Sequence, residues 1–193
     1  MNNNNHYTKK EISTILNKTL YLSQRNYQMK KLLLTFLVFG TLSLSAKKII
    51  NGEEKKVVFV GMVGDMFHFG HVNMLRNARS FGDYLMVGVT PDEDAKSYKR
   101  TPIMNYEERK AVVQACKYVD EIIPEPLHLS KEFLDEYSID VVVHGDDMNE
   151  EALKFFYEVP MKMGLLKVLP YTPGISTSNI IQRIIKRSAE FSL

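Results

Sequence analysis

The sequence predicts an α/β fold: a doubly wound, five-stranded parallel sheet with helices on both faces. Two observations carry this. From residue 57 onward, short apolar runs alternate with stretches of helical periodicity. The runs, VVFV and VVV among them, are apolar at successive positions, as strands covered on both faces require. Right-handed crossovers between such strands make an open, doubly wound sheet. A chain of 193 residues, 45% hydrophobic and 25% charged, is long enough for one full core with some length to spare.

The elements follow in order. VVFVGMV (57–63) reads as a buried strand. HVNMLRNARSFG (71–82) reads as a helix, with Val72, Leu75 and Ala78 on one face and Gly82 as its stop. YLMVGVT (84–90) is a second strand ended by Pro91, and the polar stretch 92–105 reads as a loop. Residues 106–118 form a helix, and VDEIIPE (119–125) a short strand closed by prolines. Ser130 caps a helix over 131–138, and DVVVHGDD (140–147) is a strand opening into a loop. EEALKFFYEVPMKMG is helical as far as Pro160, LLKVLP (165–170) is the fifth strand, and 178–187 is the last helix. The result is Rossmann-like, and in such sheets ligands sit at the carboxyl ends of the strands, where strand order reverses.

Ahead of this body, residues 1–28 read as a disordered polar leader, opening MNNNNHYTKKE. Residues 29–48, MKKLLLTFLVFGTLSLSAKK, carry two lysines, an uncharged stretch and a small-residue exit. That is the layout of a signal peptide, or of a short membrane anchor. The expected location is then a membrane-anchored domain in the cytoplasm, or the secretory pathway if the segment is cleaved. Charge divides the same way. Residues 1–56 hold ten Lys/Arg and three Asp/Glu, while residues 57–193 hold fifteen and twenty. A net-acidic body argues against nucleic acid as a partner, and the basic leader favours a membrane surface. The single cysteine, Cys116, excludes an internal disulfide and reads as a structural thiol on a helix.

The first strand leads into DMFHFGH (65–71), with two histidines three apart around a glycine where a helix begins. A helix start offers free N–H groups and a positive dipole end, which together attract phosphate. Gly70 lets the backbone approach a ligand closely. His68 and His71 would each donate a hydrogen bond and carry charge near neutral pH. A zinc site would need more ligands, and no spacing singles out His128 or His144 for that role, so no metal-ligating residue is assigned.

DMFHFGHVNMLRNARSFGDYLMVGVTPDE, YEERKAVVQACKYVDEIIPE, VVHGDD and GISTSNIIQRI together resemble the cytidylyltransferases, nucleotidyltransferases with an HxGH motif, over residues 56–188. The resemblance implies that His68, His71 and Lys99 are catalytic. It also implies that Gly64, Asp65, Gly70, Arg109, Asp146, Gly174, Ile175, Ser176, Thr177 and Ser178 bind nucleotide. GISTS (174–178) would grip the triphosphate opposite HxGH, and Lys99 would hold phosphates of both substrates. Arg109 would turn toward the site, Asp146 would lie near the nucleoside, and Asp65 would order the first loop. The family often has arginine where Tyr171 stands here, with Arg100 and Arg183 as candidate replacements. The implied reaction transfers CMP from CTP to a small phosphoalcohol, with Mg²⁺ accompanying the nucleotide. Segments 107–124 and 143–147 look most like ethanolamine-phosphate enzymes, followed by choline-phosphate and glycerol-3-phosphate ones. A homodimer is implied as well. The alternatives are an adenylyltransferase using the same motif, or a non-catalytic nucleotide-binding protein tethered to a membrane.

Overall fold

A computed structural model describes residues 47–190. The predicted leader, and all of the hydrophobic segment except Lys47 and Lys48, lie outside those residues. Among the described residues no helix is long and apolar enough to cross a membrane.

The structure opens with a hairpin that the reading above did not anticipate, β1 (Lys48–Ile50) and β2 (Glu53–Lys55), paired antiparallel. Its turn is Asn51-Gly52, both at positive φ (53° and 81°), a conformation that Asn-Gly adopts at little cost. Lys48 ties the hairpin down by an ion pair to Glu121 and by lying over the Tyr84 ring.

The five main strands are β3 (Val57–Met62), β4 (Tyr84–Val89), β5 (Glu121–Pro124), β6 (Ile139–Gly145) and β7 (Leu166–Leu169). They form one parallel sheet in the order β5-β4-β3-β6-β7. The chain winds outward from β3 to one edge, returns, and winds to the other, so the switch point lies between β3 and β6. A register shift beside Val57 leaves its N–H free of the ladder, and Asp140 accepts it at 2.8 Å.

The strand side chains divide into two cores. Val58, Val60, Val87 and Val143 pack with Leu75, Ala78 and Val113 from α1 (Phe69–Arg79) and α3 (Tyr106–Gln114). Val57, Phe59, Met86 and Val142 pack with Leu134 and Tyr157 from α4 (Lys131–Glu136) and α5 (Glu150–Lys162). A sheet buried on both faces has no polar side to spare, which accounts for the continuous apolar runs.

Several boundaries differ from expectation. The predicted loop 92–105 contains a helix, α2 (Asp92–Tyr98), begun by three carboxylates that suit its dipole. Only Ala95 of it is buried, so no apolar period marked it. The helix expected to stop at Pro160 continues to Lys162 with a break at Tyr157 (φ −124°, ψ 21°). Pro160 denies the Phe156 carbonyl its usual donor, and Leu129 N–H approaches it instead at 3.5 Å. The last helix, α6 (Thr177–Lys186), starts one residue earlier than expected.

Candidate active site

The site is built first from the loop that leaves β3. Gly64 turns the chain at φ 69°, and the buried Asp65 accepts the N–H groups of Ile103 (3.1 Å) and Met104 (3.0 Å). This fixes the loop before α1 against the loop before α3. His68 then caps α1: its Nδ1 accepts Gly70 N–H at 3.1 Å, and His71 Nδ1 accepts His68 N–H at 3.2 Å. An Nδ1 that accepts cannot carry a proton, so each neutral ring bears its proton on Nε2 and keeps Nε2–H as its free donor. Burial, reinforced by His68 and Lys99, pushes the His71 imidazole down to about 3, and burial lowers His68 too. The expectation that both histidines carry charge near neutral pH is therefore corrected. They are neutral donors, because protonating Nδ1 would break the cap.

The second half comes from the chain before α6. Ser176 caps this helix through Asn179 N–H at 3.0 Å, and Gly174 turns the chain at φ 80°. Thr177 Oγ1 donates to the Asp65 carbonyl at 2.9 Å, and Gly70 leaves the room that Ile175 needs, since a Cβ there would lie 3.3 Å from Ile175 Cγ2. Two helix starts more than a hundred residues apart in the chain thus meet at one cavity of about 300 Å³. Every other helix in the described residues has an Asp or Glu in its first turn, whereas α1 and α6 have none. Their positive ends are left uncompensated where they face the cavity. Lys99 and Arg100 reach the same space from the end of α2, Arg100 at 3.4 Å from Ser178 Oγ. Lys99 makes no ion pair among the described residues.

His68, His71, Lys99, Gly64, Asp65 and Gly70 all line the cavity, as do Ser176, Thr177 and Ser178. Gly174 and Ile175 are not in its lining. Arg109 does not line it either. It is fully buried and donates to the carbonyls of Met104 (3.1 Å), Thr90 (2.8 Å) and Val63, and to Asp92 (2.6 Å). Its guanidinium holds together the ends of two strands and the loop before α3, beneath the site. Asp146 also points elsewhere, accepting Tyr171 N–H at 2.7 Å, and it is Asp147 that faces the cavity. Tyr171 lines the wall, Arg100 is the nearby cation, and Arg183 is not in the lining. Sequence reasoning missed Asp147 and Thr172, and it set His144 aside, although His144 lines the cavity and its Nδ1 pairs with the Gly145 carbonyl at 2.7 Å. Their signal was only position, at or just past the carboxyl ends of β6 and β7.

A family model described as cytidylyltransferase-like matches residues 59–183. The chain belongs to the cytidylyltransferase-like family. It is 37% identical over 142 residues to ethanolamine-phosphate cytidylyltransferase of Dictyostelium discoideum, covering 70% of this chain and 39% of that one. The mouse (Mus musculus) ethanolamine-phosphate cytidylyltransferase is 40% identical over 145 residues, covering 73% and 36%. Choline-phosphate cytidylyltransferase 2 of Arabidopsis thaliana is 37% identical over 148 residues, covering 70% and 47%. The chain thus spans less than half the length of these relatives. Among solved structures, the lipopolysaccharide core biosynthesis protein from Thermoplasma volcanium GSS1 superposes with a TM-score of 0.50 at 26% identity, covering 61% of this chain and 97% of that one. In this cytidylyltransferase-like domain, the cavity at the switch point occupies the place where the fold type holds its ligand.

Proposed function

We propose that this domain transfers CMP from CTP to a small phosphoalcohol, giving a CDP-alcohol and pyrophosphate for phospholipid synthesis. The observation that carries the reading is the meeting of two acid-free helix starts on one cavity that also holds Lys99 and Arg100. Such a place suits a polyphosphate, which carries several negative charges within a few ångströms. A phosphate oxygen of the acceptor attacks the α-phosphorus of CTP, a new P–O bond forms, and the bond to pyrophosphate breaks. No covalent enzyme intermediate is needed, so the protein's work is positioning and stabilising charge. His68 and His71 supply Nε2–H donors toward the phosphates, and Lys99 lies where both substrates' phosphates would meet. A magnesium ion accompanying CTP would supply charge neutralisation at the leaving pyrophosphate. Asp147 is the carboxylate on the wall not committed to a backbone N–H, and it would be the chain's own contact to that ion.

The names of the relatives support ethanolamine or choline phosphate as acceptor. The test is turnover of purified full-length protein with CTP or ATP and a panel of phosphoalcohols. The expected result is pyrophosphate release with CTP and its loss, about a hundredfold or more, in His71→Ala. Release with ATP alone, or full activity in that variant, would overturn the proposal.

A further inference from the structure

A second, smaller cavity of about 40 Å³ opens beside the first, and Gly61, Met62, Lys99 and His144 line both. Its polar centre is Glu125, just past the end of β5, whose Oε2 accepts the Thr90 hydroxyl at 2.5 Å. The rest of the wall is largely aromatic and apolar, with Tyr98 packed against Phe156 and Tyr157 against His144. Gly61 is what admits the carboxyl, because a Cβ there would fall on Glu125 Oε1, while Gly88 leaves room for its Cβ. Two glycines on neighbouring strands thus make space for one acid among aromatic rings. No ion pair to Glu125 forms among the described residues, and desolvation holds its acid group up at about 7. A carboxyl so placed gains most from a small cation that enters the cavity.

We propose that Glu125 selects the acceptor, receiving the primary ammonium of a short phosphoamine in the small cavity while the phosphate lies at Lys99 in the large one. The inference rests on the transfer reading above and narrows its acceptor. Three features point to a primary amine. The carboxylate supplies the counter-charge. The aromatic faces suit a cation. The cavity's volume, about 40 Å³ against about 300 Å³ for its neighbour, suits a compact ammonium better than one carrying three methyl groups on nitrogen. A glycerol acceptor would bring hydroxyls and leave the carboxyl without a cation.

The test compares the full-length protein with Glu125→Gln and with the double variant Gly61→Asp/Glu125→Ala, which brings a carboxylate back from the facing strand into the emptied space. Initial rates are measured with CTP and phosphoethanolamine, phosphocholine or glycerol-3-phosphate. Binding of CDP-ethanolamine, CDP-choline and CMP is measured by calorimetry. The expected result is a preference of at least about tenfold for phosphoethanolamine. Glu125→Gln should raise its KM roughly ten- to hundredfold, leaving the KM for CTP and the affinity for CMP unchanged, and the double variant should recover most of the loss. Equal use of phosphocholine, or an unaltered phosphoethanolamine KM in Glu125→Gln, would overturn the inference and leave the transfer reading standing. If no acceptor supports turnover, the transfer reading fails and calorimetry decides for Glu125. Tighter binding of CDP-ethanolamine than of CDP-choline, lost in Glu125→Gln, supports the assignment, and equal binding overturns it.

Discussion

Arg109→Met is expected to lower the stability of the domain by about 4 kcal/mol, although Arg109 lines no cavity. The guanidinium supplies three backbone carbonyls, those of Val63, Thr90 and Met104, and pairs with Asp92. Methionine replaces most of the apolar stem and none of the donors. A buried acceptor left without a partner costs about 1–3 kcal/mol. Val63 lies on the cavity wall and can take up water, but Thr90 is almost fully buried and cannot. Asp92 is half-exposed and keeps Tyr106 N–H at 3.1 Å, so it adds little. The Thr90 and Met104 carbonyls are then left unpaired, a cost of about 2–6 kcal/mol with a midpoint of about 4 kcal/mol, a large part of the roughly 5–15 kcal/mol that holds most domains folded. In a chain of this size the melting temperature should drop by about 10–15 °C. Urea titration should show a lower midpoint with an unchanged slope, while CTP affinity in the remaining folded fraction, measured well below the melting point, should fall far less. A loss under about 1 kcal/mol together with abolished CTP binding would refute the reasoning and put the guanidinium on the nucleotide.

Gly70→Ala should leave the melting temperature nearly unchanged yet impair turnover. The new Cβ would lie 2.9 Å from His68 Cε1 and 3.3 Å from Ile175 Cγ2, displacing the capping imidazole by a few tenths of an ångström and spoiling aim rather than fold. Glu125→Gln should become more stable relative to the parent as pH rises. Burial holds the Glu125 carboxyl at about 7 against an ordinary 4.5, so the parent keeps its full stability below 4.5 and loses part of it as pH climbs through 7. The Thr90 hydroxyl and Lys99 oppose that shift, Asp94 adds to it, and Tyr98, Tyr157 and His144 also line the cavity. With allowance for water in the cavity, the parent should lose about 2 kcal/mol relative to the variant between pH 5 and 8 in urea titrations. Parallel curves for the two proteins would contradict this.

The features readable in the chain were those set by local chemistry. Continuous apolar runs announced a sheet covered on both faces, and glycine and hydroxyl residues at strand ends marked both helix starts. The two carboxylates of GDD are neighbours, yet one faces the Tyr171 backbone and the other faces the cavity. Nothing in their order says which. Arg109 was misplaced for a similar reason: its partners Val63 and Thr90 belong to segments 46 and 19 residues away, visible only once β3 and β4 are paired. The Gly61–Glu125 arrangement joins positions on different strands, and a glycine in a strand says that something approaches without saying what. The hairpin and α2 are different, since Asn51-Gly52 and the Asp-Glu-Asp run after Pro91 were local signals that could have been read.

The helix α6 buries none of its residues and holds to the sheet chiefly through its first turn, where Thr177 reaches Asp65. Any polyanion gripped between that turn and α1 would act as mortar for the segment, adding about 2.7 kcal/mol to the closed arrangement at a hundred times its dissociation constant. Digestion of the carboxyl-terminal stretch of the purified protein should therefore slow when a polyphosphate is added and quicken when it is withdrawn.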